Sequence, residues 1–135
     1  MTVDACRLVE LPRNADPRGN LTVIEGNVHV PFAIARVFYL YDVPGGSERA
    51  GHALRTCEQF LVAMSGSFDV RLKDGTSERT FHLNRSYYGL LIEPKVWREI
   101  DNFSSGAVCM ALASEPYAAD GYFRDFEEYQ RSMTG

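Results

Sequence analysis

Cysteine is scarce in this chain of 135 residues, and the three present form no pair. Cys6, Cys57 and Cys109 are odd in number, widely spread and free of any C-x-x-C spacing. That excludes a disulfide scaffold or a zinc ribbon and fits reduced thiols in a cytoplasmic protein. No run approaches the roughly 18 apolar residues of a membrane helix. The stretch from Met1 to Arg13 is broken by Asp4, Arg7, Glu10 and Pro12, so no signal peptide is expected. Basic excess is lacking too: 14 Lys and Arg face 18 Asp and Glu, a net charge of -4 that argues against general nucleic-acid binding. A local arginine cluster could still hold one phosphate-bearing small molecule. There is no P-loop, no G-x-G-x-x-G, no nucleophile–base pair, no repeat and no linker. The expectation is one soluble, cytoplasmic domain over residues 1–135, large enough to bury about two thirds of its unfolded surface.

What the chain does have is a series of short β-branched and aromatic runs. Leu21–Glu25, Ala35–Tyr41, Gln59–Met64, Ser67–Lys73, Ser77–Leu83, Tyr88–Glu93 and Ala107–Ala113 read as strands. Turn signals separate them, at 17–19, 44–46, 65–66, 74–75 and 102–106. Asp74-Gly75 predicts a hairpin through a type I′ turn, which takes positive φ at both positions. Strands at this spacing make a sandwich or barrel. Only the tail has helical spacing: Ala119-Asp120 could cap a helix to about Arg131, with Tyr122, Phe123, Phe126 and Tyr129 as a stripe packed on the barrel.

The richest stretch chemically is Arg49-Ala-Gly-His52-Ala-Leu54-Arg55-Thr-Cys-Glu58-Gln59. Read with a period of two, His52, Leu54, Thr56 and Glu58 share one strand face. A second histidine at position 54 would suggest a metal site, but leucine can neither ligate a metal nor move a proton. His52 and Glu58 are too few to hold a first-row metal against water, so no metal and no other cofactor is expected. An imidazole titrates near neutral pH, which suits His52 to proton transfer at a barrel mouth. His29 and His82 sit alone and read as half-buried histidines with one hydrogen bond each. Tyr39 and Tyr41 share a strand face and suit either aromatic packing or hydroxyl donation at the rim. Arg18, in a turn, could bond that turn or a ligand. Arg36, Arg49, Arg55, Arg71 and Arg98 lie on or beside candidate strands. Each needs solvent, a carboxylate such as Glu58, Asp69 or Glu93, or an anionic ligand.

Taken in order, these segments resemble the sugar 3,4-ketoisomerases of the RmlC-like cupin superfamily. Asp16-Pro-Arg18-Gly19-Asn-Leu21 is similar to the D-x-R-G-x-L opening of that family, and Pro31-Phe-Ala-Ile-Ala-Arg36-Val-Phe38-Tyr39 to its P-F-x-I-x-R-V-Y-Y strand. Arg49–Arg55 resembles R-G-x-H-A-H-K, with Leu54 at the second histidine. Pro94-Lys-Val-Trp97-Arg98-Glu99 resembles P-x-x-W-H-E, with Arg98 at the histidine. Phe38 likewise stands at the first tyrosine of its strand. The resemblance implies an all-β jelly-roll barrel with a short C-terminal helix, a homodimer, and metal-free enolisation of a dTDP-linked 4-keto-6-deoxyhexose on the way to deoxy and amino sugars. It implies His52 as the base, Tyr39 and Arg49 as donors toward the reacting oxygens, and Arg18 as a substrate-positioning residue. Tyr41, Arg55, Glu58, Arg98 and Trp97 complete the expected substrate contacts. The rival expectation is a nucleotide-sugar-binding cupin that lost its proton shuttle with Leu54.

Overall fold

The computed structural model describes residues 2–134. Ten strands and one helix follow a short 3-10 turn at Val3–Ala5. The strands are β1 (Arg7–Glu10), β2 (Arg36–Leu40), β3 (Arg49–Leu54), β4 (Gln59–Ser65) and β5 (Phe68–Lys73). They continue as β6 (Glu78–Leu83), β7 (Tyr88–Ile92), β8 (Trp97–Asp101), β9 (Val108–Ala113) and β10 (Tyr122–Phe123), and the helix α1 spans Phe126–Thr134. Two five-stranded antiparallel sheets result, ordered β1-β7-β4-β9-β2 and β10-β3-β8-β5-β6. This is the expected cupin jelly roll. Among the described residues no helix is long and apolar enough to cross a membrane.

Side-chain periodicity explains both sheets. In β5, Phe68, Val70 and Leu72 are buried while Asp69, Arg71 and Lys73 turn outward, the alternation a half-covered strand needs. In β4 five successive residues are buried, because both of its faces are covered. Leu61 and Ala63 face the core between the sheets, whereas Phe60 and Val62 pack outward under Leu11, Val30 and Phe32 of the segment that crosses that face. Each of the larger side chains, from valine to phenylalanine, contributes about 1.5–3 kcal/mol of burial. Gly89 of β7 lies so close to β4 that a Cβ would stand 2.7 Å from the Leu61 carbonyl oxygen and 2.4 Å from the edge of the Phe60 ring. All three cysteines are free and buried.

Four expectations need correction. Leu21–Glu25 is not a ladder strand: it forms one bridge, Asn14 to Leu21, and lies over the outer sheet face with Ile24 packed inward. The Asp74-Gly75 hairpin exists, but its connection runs over residues 74–77 and only Gly75 has positive φ. The Asp74 carboxylate accepts the N–H groups of Val3, Thr76 and Ser77 at 2.9, 3.0 and 2.8 Å, which fixes a wider turn. The helix begins at Phe126, not near Ala119, because Tyr122 and Phe123 pair with Leu54 and Ala53 of β3. Finally, β3 ends at Leu54, so the single strand face through Thr56 and Glu58 is broken.

Candidate functional site

Between the two sheets the barrel opens into a cavity of about 410 Å³. Apolar walls come from Phe38 and Leu40 of β2, Leu61 of β4 and Ile100 of β8. The polar lining is concentrated: Glu48, Arg49 and His52 from β3 and its approach, Gln59 from β4, Arg98 from β8, and Tyr122 and Arg124 from the chain beyond. Three guanidiniums and one carboxylate therefore line the cavity of an otherwise acidic protein.

Register sets the central pair. His52 is the cross-strand partner of Arg98, and opposed residues project on the same side with neighbouring Cβ atoms. The neighbours Ala53 and Trp97 pack on the opposite side, against Phe123 and Tyr129, so alternation turns His52 and Arg98 inward. Arg98 is only 1% exposed. Its Nη1 donates to Gln59 Oε1 at 2.7 Å and its Nη2 to the Val96 carbonyl at 3.1 Å. Among the described residues it has no carboxylate within ion-pair distance. Burial pulls its pKa down to about 10, so it stays charged at neutral pH. The His52 imidazole responds to that environment: burial first, then the fields of Arg98, Arg124 and Arg36, pull its pKa to about 3. It is thus neutral at pH 7. Its Nε2, with Gln59 Nε2 and Arg98 Nε, is buried without a hydrogen-bond partner among the described residues. Such a group costs about 1–3 kcal/mol until something bonds it, and all three belong to side chains that line the cavity.

Of the residues expected from sequence, the structure brings His52, Arg49 and Arg98 together and separates the rest. Tyr39 and Tyr41 alternate with the inward Phe38 and Leu40, so both rings are outward and exposed, 5.6 Å apart. Arg18 folds onto its own turn, with Nε 2.9 Å from Asp16 Oδ1. Arg55 secures the chain end: its Nε donates to the Asp120 carbonyl at 3.0 Å and its guanidinium lies 3.8 Å over the Phe123 ring. Trp97 is on the outer side of β8, against Phe126 and Tyr129. Glu58 lies past the end of β3 and outside the cavity lining, its N–H bonded to Ser114 Oγ at 2.8 Å and its pKa raised by burial and by Glu93. Among the described residues no three His, Cys, Asp or Glu side chains converge as a metal site.

Sequence reasoning missed Gln59, Tyr122 and Arg124. Gln59 carried a usable signal, an amide opening an otherwise apolar run. Tyr122 fits a helical stripe by spacing, but it lines the cavity with its ring edge-on to His52 at 5.0 Å.

Comparison with known proteins shows the family and the fold. The family model described as FdtA, WxcM-like, C-terminal matches residues 4–134. A curated TDP-4-oxo-6-deoxy-alpha-D-glucose-3,4-oxoisomerase from Aneurinibacillus thermoaerophilus is 37% identical over 125 residues, 93% of this chain and 90% of the relative. A mutant of the 3,4-ketoisomerase QdtA from Thermoanaerobacterium thermosaccharolyticum, solved in complex with TDP-4-keto-6-deoxyglucose, superposes with a TM-score of 0.94. It is 36% identical, over 96% of this chain and 94% of that one. The WlaRB TDP-quinovose 3,4-ketoisomerase from Campylobacter jejuni is 42% identical with a TM-score of 0.89, over 93% of this chain and 97% of that one. The family-model match over residues 4–134, with these relatives at 36% to 42% identity over nearly the whole chain, places this protein in the FdtA, WxcM-like family together with these sugar-nucleotide 3,4-ketoisomerases.

Proposed function

We propose that the chain is a metal-independent isomerase that moves the carbonyl of a dTDP-linked 4-keto-6-deoxyhexose from C4 to C3, in deoxy- and amino-sugar biosynthesis. The observation that carries this reading is the neutral His52 directly opposite the uncompensated charge of Arg98. Enolisation needs a base at C3–H and a positive group beside the oxygen that gains charge. A preorganised cation away from water is the strong way to supply the second. His52 takes the C3 proton and returns it to C4. Arg98, held by Gln59, faces the enediolate oxygens. Arg49 and Arg124 are suited to the diphosphate, because guanidinium–phosphate bonds are charge-assisted and often bidentate. A bound anion also cancels part of the field that depresses His52, so the substrate strengthens the base that attacks it.

The functional unit we propose is a homodimer. Val37 and Tyr39 of β2, an edge strand of its sheet, form an exposed apolar stripe with Tyr41 just beyond its end. An open, apolar edge is a ready surface for a second copy of the chain.

Incubation with dTDP-4-keto-6-deoxyglucose in D2O, followed by NMR, tests the reaction. Deuterium should enter at C4 of the 3-keto sugar as it forms, and at C3 of the 4-keto substrate that remains. His52→Asn should lower turnover by about 10²–10⁴-fold while leaving dTDP affinity nearly unchanged. An His52→Asn variant that isomerises at the wild-type rate refutes the mechanism.

A further inference from the structure

We propose that Tyr122 is a second proton-transferring residue of the site, moving the hydroxyl proton between O3 and O4 while His52 moves the carbon-bound proton between C3 and C4. The inference rests on the ketoisomerase reading above and adds to it the group that a single imidazole leaves unassigned.

Three placements support it. Tyr122 lines the cavity with His52 and Arg98. Its ring meets the imidazole edge-on, with centroids 5.0 Å apart, so one sugar can touch both. It is also the register partner of Leu54, which projects to the same side as His52 but is buried with Cys57 and Ala113 and does not line the cavity. Where β3 offers hydrocarbon two residues beyond His52, β10 supplies a phenol. Among the described residues the Tyr122 hydroxyl has no hydrogen-bond partner, unlike that of Tyr129, which donates to the Lys95 carbonyl at 2.8 Å. The guanidinium of Arg124 lies 4.2 Å over the Tyr122 ring and holds the side chain at the cavity.

The chemistry needs this second group. Moving the carbonyl from C4 to C3 transfers one proton between carbons and another between oxygens. In the first half, His52 takes the proton from C3, the C3–H electrons form the C3=C4 bond and the C4=O4 π electrons move onto O4, giving the enediolate that Arg98 faces; O4 then receives the phenolic proton of Tyr122. The result is a neutral enediol between an imidazolium and a phenolate. In the second half the phenolate takes the proton from O3, the C3=O3 bond forms, and the enediol electrons take the imidazolium proton at C4. Both residues end as they began, and no oxidant or reductant is consumed.

The decisive measurement is the ratio of C3 deuterium exchange to isomerisation in D2O. Returning a proton to C3 needs only His52, whereas product formation also needs the transfer between oxygens. Tyr122→Phe keeps the ring and removes the hydroxyl. It should cut the isomerisation rate by about 10²–10⁴-fold, slow C3 exchange far less and leave dTDP affinity near the wild-type value. Because the readout is a ratio, it does not depend on the fraction of variant that is folded. An exchange-to-product ratio in Tyr122→Phe equal to the wild-type ratio, at any absolute rate, overturns the role of Tyr122 while leaving the His52 mechanism standing. A wild-type protein that neither exchanges nor isomerises the sugar overturns both.

Discussion

His52 is held in a form that is useful for chemistry and costly for folding. Its imidazole titrates near 6.5 in an unfolded chain and near 3 in the barrel, chiefly through burial and then through the arginines around it. Between those values the unfolded chain binds more protons than the folded one, so stability rises with pH across that window. Above about pH 6.5 His52 imposes no penalty, and the penalty grows as pH falls toward 3. From pH 7 to pH 5 the loss assigned to this one group is about 2 kcal/mol. His52→Asn should therefore lose less stability than the wild type over that interval, measured as the shift in urea midpoint. Parallel pH profiles for the two proteins would show that the imidazole is not depressed. At this scale the sequence was informative where a residue's type is rare in its surroundings. His52 stands out as an imidazole in a polar run, and Arg98 as a cation at the histidine of the P-x-x-W-H-E pattern. Tyr39 and Arg18 were equally visible as types, but their directions depend on which strand face closes the barrel, and a sequence motif does not carry that information.

Elements were legible when one face decides their burial. β5 alternates cleanly and was found within a residue of its ends. β8 was missed because its polarity is inverted: Arg98 and Ile100 point in, while Trp97 points out beneath α1. The aromatic stripe misled for a related reason. Phe126 and Tyr129 do follow helical spacing, but Tyr122 and Phe123 belong to a two-residue strand whose partner lies about seventy positions earlier. The β5–β6 turn depends on a similarly distant contact, since the Asp74 carboxylate holds Val3 across 71 residues. Burial alone would raise the pKa of Asp74. The N–H groups of Thr76, Val3 and Ser77 outweigh it and hold the value at about 2. A depressed carboxyl contributes stability above its unfolded pKa, near 3.8, and loses it as pH falls through 2. Asp74→Asn should cost about 2 kcal/mol at pH 7. Its denaturation midpoint should converge with that of the wild type near pH 2. A gap of constant size at all pH values would mean that the lost stability came from packing and not from the charge.

For the whole molecule, charge and apolar surface are sorted to different places. The chain is acidic at -4, but its cavity collects guanidiniums, so a nucleotide diphosphate meets a positive interior inside a negative body. Affinity for dTDP, followed by calorimetry, should fall as salt is raised, because the attraction is screened. An affinity independent of ionic strength would remove the arginines from nucleotide binding. The outward stripe of Val37, Tyr39 and Tyr41 gives a prediction for assembly. Tyr39→Glu with Tyr41→Glu should convert a dimer to a monomer in sedimentation or light scattering, without unfolding it, since both rings are exposed. A wild-type protein that is monomeric at high micromolar concentration would refute the dimer.

The single tryptophan has a practical consequence for watching this protein at work. Trp97 is buried beneath α1, touching Phe126 and Tyr129, with its indole N–H bonded to Glu99 Oε2 at 3.0 Å. The adjacent Arg98 faces the opposite way, into the cavity. Intrinsic emission therefore reports the seating of the C-terminal helix and is shielded from the ligand by the thickness of a sheet. Saturation with nucleotide should leave the tryptophan spectrum almost unchanged, and a red shift on any treatment marks the helix lifting from the barrel.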